Sequence, residues 1–181
     1  RAHSILLVGE PGGGAGFAAR CLAADYLYPA GGPHAEAVLR GQDPESITVQ
    51  GEGASGQIKV ERIREAREAI LRSAMSCDAA GRALFVYGAQ NLNGPSANAM
   101  LKTIEEPPAY AVILLLTTNA DSFLQTILSR CITLNMKTVK AEVIRDYLMK
   151  QYKIPDYQAD VCAAFSQGNV GKAIQLASSE D

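Results

Sequence analysis

The hydrophobic positions of this chain form two kinds of strand pattern, one continuously apolar and one alternating. Residues 4–8, 83–87 and 111–117 are almost continuously apolar, which is typical of parallel strands buried on both faces. Residues 47–50 and 131–135 alternate apolar and polar side chains instead, which predicts strands near an edge of the sheet. The sequence therefore predicts five strands, three of them central.

Helical patterns lie between these strands. Four helices are predicted, at residues 16–28, 60–76, 98–105 and 122–128. The third of them is stopped by Pro107 and Pro108. Residues 29–56 are rich in glycine, proline and serine and, apart from the strand within them, are expected to form exposed loops. Strands that alternate with helices predict an α/β fold with a parallel, doubly wound sheet.

The strand pattern ends at residue 135, and only helical patterns follow. Three further helices are predicted, at residues 139–148, 156–167 and 170–177. A domain boundary is expected near residues 136–138. It would separate an α/β domain at 1–136 from a small three-helix domain at 137–181.

Composition and charge narrow the class of protein. With 48% apolar and 20% charged residues, the 181-residue chain is an ordinary globular sequence, and its net charge of -2 argues against a freestanding electrostatic nucleic-acid binder. No apolar run approaches the roughly 20 residues that cross a bilayer, and no secretory signal opens the chain. Four widely spaced cysteines without a CxxC pair favour neither a metal site nor disulfides, so a reduced, cytoplasmic protein is expected.

A glycine-rich segment that includes Gly12 connects the first predicted strand to the first predicted helix. Gly9 and Gly14 have the spacing of the phosphate-binding loop GxxxxGK[ST], whose backbone N–H groups hold phosphates at a helix N-terminus. Ala15 occupies the position of the lysine that reaches the β- and γ-phosphates, and Gly16 that of the Mg²⁺ ligand. The segment is either a degenerate phosphate loop or a glycine-rich turn without chemical use.

The third predicted strand lacks the acidic pair that nucleotide hydrolysis needs. One such carboxylate binds Mg²⁺ and the other orients the attacking water, but residues 84–89 read LFVYGA. Each lost charge-assisted contact costs about 1.5–3 kcal/mol. Losing two weakens ATP binding about 10²–10⁴-fold. We therefore expect the loop to survive as architecture, with no nucleotide cofactor of its own.

Three segments resemble a known family. Residues 98–108, NAMLKTIEEPP, are similar to the NALLKTLEEPP helix and turn of bacterial clamp-loader subunits, and residues 126–131, TILSRC, match another motif of that family. Residues 168–173 stand where the family carries its sensor 2 segment, with Gly171 in place of the arginine of the hydrolysing subunit. The resemblance, strongest to the delta-prime family with its commonly impaired phosphate loop, implies a RecA-like AAA+ sheet followed by a helical lid.

The resemblance also implies a function and its partners. We expect a non-catalytic subunit of the DNA polymerase III clamp loader, which supports loading of the sliding clamp onto primed DNA. Its partners would be an ATP-hydrolysing neighbour and the delta subunit, the sliding clamp as a further candidate, and primer-template DNA within the assembled complex. The family's four zinc cysteines are missing from residues 29–56, so no metal is expected. The C-terminal collar domain is also missing, which suggests a fragment.

Arg130 is the main candidate functional residue. In the family, the SRC arginine acts in trans as an arginine finger on the γ-phosphate of ATP bound by the adjacent subunit. A planar, permanent charge suits a transition state whose charge spreads over phosphoryl oxygens. Ser129 and Cys131 are expected to shape the turn and fill the core.

Further candidates carry weaker signals. By resemblance, Lys59 and Arg64 at the start of a predicted helix would face DNA, as would Lys102, although mixed charges around them also fit a solvated helix face. Thr117 and Thr118 stand at the family's sensor 1 position, where a structural role is expected without bound ATP.

Two other functions stay open at this point. One is a clamp-loader AAA+ ATPase that keeps its activity through unusual ligands. The other is a P-loop kinase-like module that binds a small phosphorylated ligand. The second leaves the motifs at residues 98–108 and 129–131 unexplained.

Overall fold

The structure, a computed structural model, describes residues 3–10, 14–72, 78–119, 125–136, 141–153 and 159. The strands are β1 (His3–Val8), β2 (Ser46–Val49), β3 (Arg82–Tyr87), β4 (Ala111–Thr117) and β5 (Ile132–Asn135). The helices are α1 (Ala15–Leu27), α2 (Pro33–Leu39), α3 (Val60–Arg72), α4 (Gly94–Glu105), α5 (Gln125–Leu128) and α6 (Ala141–Tyr152), with a 3₁₀ turn at Ala89–Asn91.

The five strands form one parallel sheet in the order β2-β3-β4-β1-β5. The continuously apolar strands β1, β3 and β4 are the three central ones, because side chains on both of their faces are covered. The two alternating strands, β2 and β5, are the edges. All five predicted strands and their central or edge positions are confirmed.

Helices cover both faces of the sheet, as the doubly wound prediction requires. On one face, Leu6, Leu84 and Ile113 of the sheet share a core with Ile63 of α3 and Met100 of α4. On the other face, the alternate strand residues meet α1 and α2. This second core contains Leu7, Phe85, Leu114, Ala19, Leu27 and Val38. The period of two along each strand divides the side chains between the two cores.

Helix α4 begins four residues before its predicted start. Asn93 caps it, because its side chain accepts a hydrogen bond of 3.0 Å from the Ser96 N–H, and Ser96 Oγ accepts one of 2.8 Å from the Asn93 N–H. This reciprocal pair is a capping box, and Pro95 lies in the first turn, where its missing N–H costs nothing. The helix that carries the NAMLKTIEEPP motif therefore has a firmly fixed start.

The prediction that residues 29–56 are loops apart from one strand was wrong in part. Residues Pro33–Leu39 form helix α2, with proline in its first turn and with Ala35 and Val38 buried against the sheet. Seven residues with so few apolar positions give little helical signal beside the preceding glycines. This segment is therefore folded onto the domain.

A buried polar network joins this segment to the sheet. Glu45 and Arg82 form an ion pair of 3.2 Å, and both side chains are 6% exposed. Arg82 also donates to the carbonyls of Ala69 and Ile70, near the end of α3. Beside them the Tyr28 hydroxyl donates to Asp43 over 3.1 Å. These polar contacts fix the start of β2 and β3 against the end of α3.

The segment after β5 is described in part. Helix α6 agrees with the predicted helix at residues 139–148. The predicted helices at 156–167 and 170–177, and the sensor 2 position Gly171, lie outside the described residues, except that Ala159 is helical and buried. The division into an α/β domain and a lid stays a prediction. Among the described helices, none is long and apolar enough to cross a membrane.

Candidate functional site

A pocket of about 340 Å³ lies outside the carboxyl ends of the central strands. Gly9 after β1, Tyr87 at the end of β3 and Thr117 at the end of β4 all line it, together with Gly16 in the first turn of α1. Crevices at this edge of an open α/β sheet are where such folds bind ligands. The pocket therefore lies where a fold of this kind binds its ligands.

The glycine-rich segment is described only at its two ends, which connect β1 to α1. Gly14 has a φ of 107°, a left-handed conformation that favours glycine, and it forms the start of α1 without a side-chain cap. The Gly9 N–H donates to the Thr117 carbonyl over 3.0 Å, which fixes the loop to β4. Gly12 lies outside the described residues.

Among the described residues, the pocket lacks the side chains that a phosphate loop uses for nucleotide hydrolysis. Ala15 offers a buried methyl group where a lysine is needed. Gly16 has no side chain to bind Mg²⁺, and a Cβ added there would lie 3.6 Å from Arg20 Nη1 and 3.9 Å from Tyr87 Cε1, both ordinary contact distances. Among the described lining residues there is no lysine or arginine, and Glu10 is the one carboxylate.

Thr117 has a structural contact in this pocket. Its hydroxyl lies 3.1 Å from Gln90 Oε1 and 3.3 Å from the Asn119 N–H, so it connects β4 to the 3₁₀ turn after β3. Thr118 lines the pocket and is exposed. Sequence reasoning missed Gln90, because this contact depends on two neighbouring strands and not on any local pattern.

Arg130 lies in the tight turn between α5 and β5. Its Nε is 2.8 Å from Glu105 Oε1, and its Nη1 donates to the Thr126 carbonyl over 2.9 Å and to Ser129 Oγ over 3.2 Å. The Arg130 side chain is 41% exposed. The guanidinium is thus accessible but held on one side.

The residues that flank Arg130 have structural contacts. Ser129 Oγ donates to the Thr126 carbonyl over 3.1 Å and so closes the turn. Cys131 packs against the core under α3 and α4, and burial raises the pKa of its thiol to about 11. A thiol in this state is a poor nucleophile at neutral pH. Both contacts agree with the roles expected of these two residues.

Arg130 and the pocket lie at opposite ends of the parallel strands. Arg130 lies at the amino ends, and the pocket lies at the carboxyl ends. Ile5 of β1 pairs with Ile132 of β5, and Arg130 precedes Ile132 by two residues. From Ile5 the strand runs four more residues to Gly9, about 13 Å at the rise of a strand. Arg130 precedes Ile132 and so lies on the side of this pair that faces away from Gly9. Its separation from Gly9 along the strand direction is therefore larger still. Its side chain therefore cannot serve the pocket of its own chain.

A groove of about 690 Å³ between α3 and α4 brings together two of the three predicted DNA-facing residues. Arg64 of α3 and Lys102 of α4 line it, with Glu106 as the one acidic residue named there. Lys59 is exposed just before α3 and is not among the lining residues. Arg67 lines the same groove and was missed, because its neighbours in sequence carry both signs of charge.

Solved structures share this fold. A Thermotoga maritima protein described as related to the DNA polymerase III gamma subunit has a TM-score of 0.64 at 23% identity, covering 98% of this chain and 53% of that one. The RuvB Holliday junction branch migration motor of Thermotoga maritima has a TM-score of 0.62 at 20% identity, covering 97% and 53%. At these identities the likeness shows the fold alone. The fold class is that of RecA-like AAA+ proteins, as predicted.

The family follows from the sequence comparison. A family model described as DNA polymerase III, delta subunit, matches residues 1–140, and the chain belongs to this family. The predicted resemblance to delta-prime subunits is confirmed by relatives of that name. The Bacillus subtilis subunit delta' is 27% identical over 99% of this chain and 55% of its own length, and the Haemophilus influenzae subunit delta' is 29% identical over 61% and 33%.

Other relatives carry a different subunit name. The Salmonella typhimurium subunit tau is 37% identical over 52% of this chain and 14% of its own length. The chain spans about half the length, or less, of these curated relatives.

Proposed function

We propose that the chain is part of a non-catalytic clamp-loader subunit, which supports loading of the sliding clamp onto primed DNA. It would supply Arg130 to the ATP site of a neighbouring, ATP-hydrolysing subunit. The observation that carries this proposal is the placement of Arg130. The residue is exposed, held by contacts within its own turn, and located at the edge of the sheet away from the degenerate pocket.

The pocket supports the non-catalytic part of the proposal. Ala15 and Gly16 offer no charge to the phosphates or ligand to Mg²⁺, and Tyr87 stands where a carboxylate would be needed. Backbone N–H groups alone still favour an anion at the start of a helix. They do not replace the contacts whose loss weakens ATP binding about 10²–10⁴-fold.

The opposite placement of the two sites supports action in trans. In a row of similar subunits packed head to tail, the surface of one subunit that carries Arg130 can face the pocket of the next subunit. The delta, gamma and tau names among the matching family and relatives agree with partners of this kind. We include the delta subunit, the sliding clamp and primer-template DNA as partners of the assembled complex.

Arg130→Ala in a reconstituted loader tests the finger. The full-length subunit is used, and only the neighbour's ATP site is left able to hydrolyse, so that the reading is not diluted by other sites. Single-turnover hydrolysis should slow on the order of 10³-fold, the lower end of what arginine fingers contribute. Arg40→Ala is the matched control, because Arg40 forms an exposed ion pair with Glu36 on α2. An unchanged rate with intact assembly would refute the finger.

Calorimetric titration of the subunit with Mg-ATP and with ADP tests the pocket. We expect no binding up to millimolar concentration, because the charge-assisted contacts to the phosphates are missing. Micromolar binding would overturn the non-catalytic proposal and favour the alternative of an active AAA+ ATPase with unusual ligands.

The groove between α3 and α4 supports contact with DNA phosphates inside the complex. Arg64, Arg67 and Lys102 bring three cations from two helices to one groove, where they exceed the single acidic lining residue. Phosphate contacts of this kind release counterions and are therefore salt-dependent.

The salt dependence of DNA binding by the loader tests this contact. Arg64→Ala combined with Lys102→Ala should reduce the slope of log K against log salt by about 1.8, since each lost phosphate contact removes about 0.9. Arg40→Ala is the control, because Arg40 is an exposed cation at the end of α2 that does not line the groove. Equal effects of both variants would show that general positive charge, and not this groove, binds the DNA.

A further inference from the structure

Glu105 ends helix α4, and its carboxylate contacts the guanidinium of Arg130. The Glu105 Oε1 to Arg130 Nε distance is 2.8 Å, and each of the two side chains is 41% exposed. The two residues belong to different motifs, the EEPP turn and the SRC turn, which are distant in sequence. Their contact therefore joins the end of α4 to the turn that precedes β5.

The contacts of Arg130 involve two of the three nitrogens of its guanidinium. The group has five N–H donors in a fixed plane. Nε lies 2.8 Å from Glu105 Oε1 in the ion pair, and Nη1 donates to the Thr126 carbonyl and to Ser129 Oγ. Among the described residues, no partner is recorded for Nη2. The N–H groups of Nη2 can thus donate to an oxygen atom from outside the chain.

We infer that Glu105 is a positioning residue for Arg130. It fixes the plane of the guanidinium, so that Nη2 is presented to a phosphoryl oxygen of the neighbouring subunit's ATP. The inference rests on the proposed role of Arg130 as a finger. It adds a second residue of this chain, one that touches no nucleotide, to the neighbour's hydrolysis.

Helix α4 is suited to hold this carboxylate in place. The capping box at Asn93 and Ser96 fixes its start, and Met100 and Ile104 are buried in the core beneath it. The helix ends at Glu105, just before the two prolines. A carboxylate on a fixed helix end restricts the side-chain rotation of Arg130 before the neighbour arrives, and such preorganisation is what a transition-state contact requires.

The test measures the neighbour's hydrolysis in the reconstituted loader with full-length Glu105→Gln. The amide keeps the size of the side chain and removes its charge. We expect kcat at the neighbour's site to fall about tenfold, comparable to the loss of an outer partner of a site residue. The KM for ATP should change less than about twofold, because positioning acts in the transition state. Glu36→Gln, in the exposed pair with Arg40, is the matched control.

Two further variants separate this inference from the finger proposal. Glu105→Asp, which restores the charge, should recover part of the lost rate, whereas Glu105→Gln combined with Arg130→Ala should be no slower than Arg130→Ala alone. If Arg130→Ala slows hydrolysis but Glu105→Gln does not, the positioning role fails and the finger stands. If neither variant slows it, the finger itself fails. A faster Glu105→Gln loader would show that Glu105 competes with the phosphate, which also overturns positioning.

Discussion

Two ion pairs lie near the amino ends of the strands, and they differ mainly in burial. Arg82 opens β3 and pairs with Glu45 over 3.2 Å, with both side chains 6% exposed. Arg130 precedes β5 and pairs with Glu105 over 2.8 Å, with both side chains 41% exposed. Each arginine also donates to backbone carbonyls near a helix end. The same residue types therefore occupy equivalent ends of the sheet in two different environments.

The difference shows how burial decides what a charge pair can do. Around Arg82, water is excluded, so the fold depends on the pair remaining intact. Around Arg130, water screens the pair, and the side chain is 41% exposed. The buried pair is suited to hold secondary structure together. The exposed pair is suited to contact another molecule.

Breaking the buried pair should give the largest effect on stability. Glu45→Ala leaves the Arg82 guanidinium buried without its carboxylate, so the free energy of unfolding should fall by about 3–5 kcal/mol. Urea unfolding of the full-length subunit, followed by circular dichroism, measures this change. Glu36→Ala, which breaks an exposed pair on α2, is the control. A loss below about 1 kcal/mol would mean that the two pairs at the sheet edge do not differ as described.

The carboxyl beside the buried pair should give a pH-dependent effect of intermediate size. Burial raises the pKa of Asp43, and the charge of Glu45 adds to this, while hydrogen bonds from Tyr28 and Ser46 lower it. With the folded pKa above the unfolded one, this carboxyl stabilises the fold fully below about pH 4, and that contribution is lost as the pH rises through the folded pKa.

Asp43→Asn should remove this part of the pH dependence. The amide still accepts from the Tyr28 hydroxyl and does not ionise. The free energy of unfolding of the variant, minus that of the unchanged protein, should increase as the pH rises from 4 to 7. Urea unfolding at several pH values in this range measures the difference. A constant difference across the range would contradict the raised pKa of Asp43.

Breaking the exposed pair should give the smallest change in stability. Glu105→Ala should lower the free energy of unfolding by less than about 1 kcal/mol, as is usual for solvent-exposed pairs. The same urea experiment measures it. A loss near that of Glu45→Ala would make the Glu105–Arg130 contact part of the folding core, and any effect on hydrolysis would then have a structural cause.

The sheet could be predicted from the sequence because burial leaves a direct pattern in it. A strand covered on both faces, such as β4, must be apolar throughout, and an edge strand such as β2 alternates. Helix α2 could not be predicted in this way. Its seven residues bury only Ala35 and Val38, which is too little for a helical periodicity.

The candidate site was predictable only where a local motif carries it. The SRC turn specifies Arg130, and the glycine spacing specifies the loop at Gly14. The partner of Arg130 is Glu105, and it follows from the approach of two helix ends that are distant in sequence. The same holds for the groove that joins Arg67 to Lys102. Residue types are local information, whereas their neighbours across the fold are not.

The contact between Tyr87 and the first turn of α1 bears on how such a pocket evolves. A threonine at position 16 would find its Cβ at ordinary contact distance from Arg20 and Tyr87, but it would supply only one ligand for Mg²⁺. A lysine at position 15 would supply a charge for the phosphates, but Gly16 and Tyr87 would still offer no ligand for Mg²⁺. Each single reversion therefore brings little benefit until the others are present. On the proposed non-catalytic function, nucleotide chemistry at this pocket would therefore return only with several substitutions made together.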